Sequence, residues 1–181
     1  LYEIVALTWQ KIKGYGSSGE TLYEGDIHNW ITNEFSHRDL ISDHPPIVCA
    51  GSNSANPHYM VSGRGNAVKP GDIILLDMFA KENKPGSIYA DISWVGVFSE
   101  TVPPQISSWF GTVVEARDEG IRLIEDRLQK GEPVKGAEVD NTVRNVLVSH
   151  NLTEYIRHRT GHGIDIELHG SGVNLDGVEF P

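Results

Sequence analysis

The sequence predicts a two-fold pseudo-symmetric α+β fold whose second half is incomplete. Three observations predict it. The order helix, helix, extended segment occurs twice along the 181 residues. A shift of 112 positions lays Gly19-Glu20 on Gly131-Glu132, Ile27 on Val139, Asn29 on Asn141, Ile31 on Val143 and Asn33 on Asn145, as a duplication would. The first copy then continues through a strand hairpin to about Phe98, whereas an equal second copy would pass roughly position 200.

The elements follow in order. Leu1, Ile4, Val5, Trp9 and Ile12 recur at helical spacing, and Gly14 with Tyr15-Gly16 is expected to end that helix, leaving Gly14–Gly19 as a loop. Thr21 and Glu24 read as a capping box before Ile27, Trp30, Ile31 and Phe35, a second amphipathic helix. Pro45–Ala50 reads as a short strand and Gly51–Val68 as a polar loop. Ile73–Ala80 is a buried strand interrupted by one acid, Asp77. A turn over Lys81–Gly86 leads to Ser87–Phe98, a strand with Ile88, Ala90, Ile92 and Trp94 on one face. Pro103-Pro104 opens a long helix closed by Gly131, and a further helix covers about Ala137–His150. From Thr160 the chain is Gly-rich and extended. The four Trp residues fall at core spacing and are expected to pack.

Composition bounds the function. Twenty-five acidic and 15 basic residues give a net charge of -10, with no basic stripe, which argues against nucleic acid or an anionic membrane as partner. No apolar run approaches the roughly 18 residues of a membrane span. One cysteine among 181 residues excludes a disulfide framework and fits a reducing, cytoplasmic compartment. Leu1 carries neither Met nor a helix cap, so the chain is expected to begin inside an element and, with its unfinished repeat, to be cut at both ends. Residues 1–181 are then one partial catalytic domain.

Asp77 and Asp91 are the sharpest chemical signal. Both lie seven residues from position 84, so a simple hairpin sets their carboxylates directly opposite, Cβ atoms about 4.5–5.5 Å apart. Like charges so placed need a shared proton or a bridging cation, and two hard oxygen donors on rigid strands suit a divalent metal. The competing reading is another register, with both acids in solvent. His162 sits between Gly161 and Gly163, and His169 follows seven residues later, on the opposite face of a regular strand. A bulge would aim both at one cavity; otherwise they are surface residues. His58 is equally ambiguous alone. Cys49 reads as a buried small hydrophobe and Arg64 as a solvated loop residue rather than a ligand contact.

Four motifs then carry a resemblance. Gly51-Ser52-Asn53 with Ala55-Asn56-Pro57-His58-Tyr59, Gly71-Asp72-Ile73-Ile74-Leu75-Leu76-Asp77, Tyr89-Ala90-Asp91 and Thr160-Gly161-His162-Gly163-Ile164 resemble the pita-bread metallopeptidases, in the Xaa-Pro aminopeptidase and prolidase branch. The resemblance implies two divalent metal ions (Mn, Co or Zn), with Asp77 on one, Asp91 bridging and His162 on the other. It implies that His58 and His169 line the substrate site and steady the tetrahedral intermediate. It implies hydrolysis of Xaa-Pro peptides by a hydroxide shared between the metals. A homodimer is one assembly left open by the sequence. The sequence also departs from the pattern. The family's two glutamate ligands have no counterpart, since Glu167 and Glu179 do not match them. Asp165 stands where glycine is usual, Gly170 where glutamate often follows the second histidine, and Ser93-Trp94 where a Thr-Arg pair often follows the bridging aspartate. Two other readings are a peptide-binding module of the same fold without hydrolysis, and a creatinase-like hydrolase of a small-molecule C–N bond.

Overall fold

The computed structural model describes residues 1–177, which form two compact units. The first holds Leu1–Thr101 with Ile166–Leu168; the second holds Val102–Asp165 and the segment from His169.

In the first unit, helix α1 (Tyr2–Ser18) and helix α2 (Glu24–His37) precede strands β1 (Leu40–Ile41), β2 (Ile47–Ala50), β3 (Ile73–Glu82) and β4 (Ala90–Val97). β3 pairs antiparallel with each of the others, and β2 and β4 take its two edges. Strand alternation sorts the faces. Ile74, Leu76, Met78 and Ala80 of β3 join Val48 and Ala50 of β2 against Ile4, Val5 and Ile12 of α1 and Ile27, Ile31 and Phe35 of α2, forming the core. Ile73, Leu75, Asp77 and Phe79 therefore point to the other face. Phe79 there meets Tyr89, Leu168 and Ile47.

Several expectations change. α1 does not end at Gly14 but runs to Ser18, and Gly19 closes it with φ 74°. A glycine inside a helix costs only about 1 kcal/mol relative to alanine, and Tyr15 packs against the core from the added turn. Glu24 is no capping residue. Tyr23 is the N-cap of α2, and its N–H donates to Asp26 at 3.1 Å. Trp9 and Trp30 pack against the core as expected, but Trp94 and Trp109 are 43% and 47% exposed. Ile88 stands in the turn, exposed, and β4 begins only at Ala90.

In the second unit, helix α3 (Pro104–Lys130) packs on helix α4 (Gly136–Ser149); Thr112, Ala116 and Gly120 of α3 and Val139 and Asp140 of α4 are buried, and a Cβ on Gly120 would meet Val143 at 2.8 Å. The rest bends through a short 3-10 turn, Thr153–Tyr155, into an extended stretch where Gly161 and Leu175 bridge antiparallel.

The duplication is visible in these elements. Moved by 112 positions, the limits of α2 become those of α4, and α1 ends where α3 ends. Gly19 and Gly131 close the first helix of each pair with φ 74° and 68°. Lys135 N–H donates to Glu138 at 2.9 Å as Tyr23 N–H does to Asp26.

Candidate functional site

Asp77 occupies the middle of β3, between Ile47 of β2 and Ser93 of β4. The Ser93 hydroxyl donates to Asp77 Oδ1 at 2.7 Å. Asp91 pairs with Phe79, not with Asp77. The expectation of directly opposed carboxylates is therefore corrected: the hairpin is slipped by two residues. The connecting turn is centred on Pro85-Gly86 rather than on position 84: Ser87 N–H donates to Lys84 O at 3.2 Å across it, and Gly86 takes φ 77°. A slip of two keeps side chains on their original face. Asp77 and Asp91 remain on one face as diagonal neighbours, at a typical spacing of about 7–8 Å. Both are half-buried. Their mutual repulsion is weaker than direct opposition gives, and Ser93 fills the position across from Asp77.

His162 and His169 come together in the second unit. Gly170 N–H donates to Gly163 O at 2.8 Å, closing a tight loop that returns His169 to His162. Their ring centroids lie 4.5 Å apart, planes tilted by 55°. A loop thus overcomes the odd spacing that would part them on a regular strand. The close return requires glycine: a Cβ on Gly163 would stand 2.9 Å from the Gly172 backbone. Asp165 and Gly170, two of the departures, sit against each other, and a Cβ on Gly170 would meet the Asp165 carboxylate at 2.7 Å. Asp165 accepts the Ser171 N–H at 2.9 Å and its hydroxyl at 3.1 Å. His162 Nδ1 lies 3.1 Å from Gly163 O. With Nδ1 donating there, Nε2 carries the lone pair that a metal requires.

His58 is exposed in the loop after the 3-10 turn Gly51–Ala55, its N–H donating to Asn56 Oδ1 at 3.0 Å. Cys49 is fully buried beside β3. Burial, and then the charges of Glu24 and Asp77, push its thiol up to about 12, so it is no nucleophile. Arg64 is engaged within the protein, 2.8 Å from Asp26 and 3.9 Å above the Tyr23 ring.

Two buried acids escaped sequence reasoning. Glu24 accepts four hydrogen bonds from the segment 50–66. Asp140 accepts from the Thr160 N–H and hydroxyl and from Arg144. Its burial pushes the carboxyl up, but the bonds from Arg144 and Thr160 outweigh that and hold it below its ordinary value. A Thr-x-x-Glu pattern hid Glu24; nothing in the local pattern singles out Asp140.

The donor chemistry of Asp77 and Asp91, paired oxygens with a hydroxyl behind one of them, fits a divalent cation. Among the described residues no group of three or more His, Cys, Asp or Glu side chains is close enough to hold one. The carboxylate pair belongs to the first unit and the imidazole pair to the second. Glu179 lies outside the described residues.

An antiparallel hairpin bearing two acids, after a helix pair that recurs, is the architecture of the pita-bread metallopeptidases. The chain belongs to metallopeptidase family M24, whose model matches residues 3–178. It is 30% identical over 144 residues to a Mycoplasma genitalium protein assigned, by name only, as an Xaa-Pro aminopeptidase, covering 79% of this chain. Among solved structures, prolidase from Thermococcus sibiricus matches 96% of the chain with TM-score 0.72 at 25% identity. X-Pro aminopeptidase from Thermotoga maritima matches 96% with TM-score 0.73 at 21% identity, a likeness of fold. The chain spans 38% of the Mycoplasma relative and 44% and 46% of these two solved chains. No helix among the described residues is long and apolar enough to cross a membrane.

Proposed function

We propose that the chain is the metal-binding part of a peptidase that hydrolyses Xaa-Pro bonds, as an aminopeptidase or a dipeptidase. The observation that carries this reading is the placement of Asp77 and Asp91 on one face of adjacent strands in a family M24 chain. Asp77, Asp91 and His162 would hold two divalent ions, Mn, Co or Zn. Bound there, the metal would activate water at neutral pH and polarise the scissile carbonyl. The chain's own residues do the rest. Ser93 holds the Asp77 carboxylate in one orientation through its 2.7 Å bond. His58 and His169 donate hydrogen bonds to the scissile peptide as charge develops on its oxygen. A substrate with proline second lacks the amide N–H, so the site must recognise it without that donor. The single, buried Cys49 supports a reducing, cytoplasmic location.

The test measures release of the first residue from Xaa-Pro and Xaa-Ala peptides at saturating Mn²⁺, in the longest form of the protein, with Asp91→Asn as control. Cleavage confined to Xaa-Pro peptides and lost in Asp91→Asn is expected. Peptide binding without cleavage at any metal concentration would sink the enzymatic reading and favour a recognition module.

A further inference from the structure

We infer that Glu24 is a positioning residue that holds the His58-bearing loop in place through its buried carboxylate. This deepens the proposed reading and rests on it for the role of His58.

Glu24 opens α2 and is fully buried. Its Oε1 accepts the Ala50 N–H at 2.7 Å and the Asn53 side-chain amide at 2.9 Å. Its Oε2 accepts the Tyr59 hydroxyl at 2.7 Å and the Asn66 N–H at 2.7 Å. The four donors bracket His58: two precede it, one is its neighbour and one follows. The backbone of the same residue joins in, Glu24 N–H donating to Asn66 O at 3.0 Å and Gly25 N–H to Arg64 O at 2.9 Å. A Cβ on Gly65 would meet Glu24 Oε2 at 2.6 Å, so the loop closes on the carboxylate only with glycine there, at φ 65°.

The chemistry demands a carboxylate. Four donors converge on two oxygens, and only an ionised acid is an acceptor at every lone pair. A buried carboxylate is retained when its hydrogen bonds are made, and such a satisfied network rigidifies what it touches. Segment 51–66 has little regular structure beyond its 3-10 turn, so Glu24 supplies the order that strand pairing gives elsewhere.

Glu24→Gln isolates the effect. Glutamine keeps one accepting oxygen for Ala50 and Asn53 but turns an NH₂ toward the Asn66 N–H. Amide hydrogen exchange on the 181-residue chain is expected to accelerate at least tenfold at Asn66 and around His58–Tyr59, with α1 and the β3–β4 hairpin unchanged. The His58 ring resonances should broaden as the loop samples other positions. Tyr59→Phe, which removes one donor and leaves nothing buried unpaired, should give the same pattern at smaller amplitude. Unchanged exchange in the loop, or uniform acceleration across the whole unit, would overturn the inference, because the latter marks general stabilisation. In the longest form of the protein, Glu24→Gln should lower kcat for Xaa-Pro cleavage by the same factor as His58→Ala, with the double variant no worse. Full activity in His58→Ala would overturn the substrate-site reading of His58, while the exchange pattern decides the role of Glu24 independently.

Discussion

At the scale of single residues, the buried acids carry most of what is specific. The folded Asp140 carboxyl lies below its ordinary value, so it binds a proton less readily folded than unfolded. Its contribution is therefore complete above the ordinary carboxylate range, near pH 4, and is lost as the pH falls through the folded value. Acid unfolding followed by circular dichroism is expected to show this dependence in the natural chain and a flatter profile in Asp140→Asn. That variant should also lose about 1–3 kcal/mol, since asparagine keeps one oxygen for the Thr160 N–H and hydroxyl but turns an NH₂ toward Arg144; equal denaturant midpoints would refute it. Cys49 gives a second test. A fully buried thiol pushed to about 12 should resist alkylation at pH 8 until the chain is unfolded. Rapid labelling of the native protein would contradict the assignment. The sequence made Cys49 legible because a lone cysteine in an apolar run has few other meanings. Glu24 was not legible, because its partners come from residues 26 to 42 positions away.

At the scale of elements, helix and strand positions followed from periodicity, and errors gathered where tertiary contacts decide the ends. The two-residue slip of the β3–β4 hairpin comes from a turn centred on Pro85-Gly86, where Gly86 takes φ 77°, rather than on the midpoint between the two acids. The slip leaves both acids on the predicted face, so the candidate site survives a wrong register. Titration calorimetry of the 181-residue chain with Mn²⁺ should show weak binding, abolished by Asp77→Asn with Asp91→Asn, because no group of three or more His, Cys, Asp or Glu side chains among the described residues is close enough to hold an ion. Two tight sites would contradict that. The His162–His169 approach depends on the Gly163 loop. Gly163→Ala pushes a methyl against the Gly172 backbone, costing about 1–3 kcal/mol. Cross-peaks between the two imidazoles should vanish in that variant while the α3–α4 signals persist.

At the scale of the whole molecule, the duplication was the most legible feature, since a fixed offset needs no knowledge of packing. Residues 99–102, which straddle the Thr101–Val102 boundary between the two units, are all exposed. Limited proteolysis should cut there first, and mass spectrometry of the products checks it. Less legible was the apolar stripe of α3. Trp109, Phe110, Val113, Ile121 and Leu128 share helical spacing with the core positions, yet each is about half exposed or more. Spacing predicts a face, not what covers it.

The two copies differ in the length of one connection. Cys49 and Leu75, paired in the first unit, are separated by 26 positions in sequence; Gly161 and Leu175, bridged in the second, by 14. Chain-closure entropy grows only with the logarithm of length, so near-doubling this loop costs about 0.6 kcal/mol. One hydrogen bond to Glu24 offsets that, at about 1 kcal/mol each. Length at this point of the fold is thermodynamically cheap, and a descendant of the duplicated ancestor could enlarge one loop and anchor it while the other stayed short.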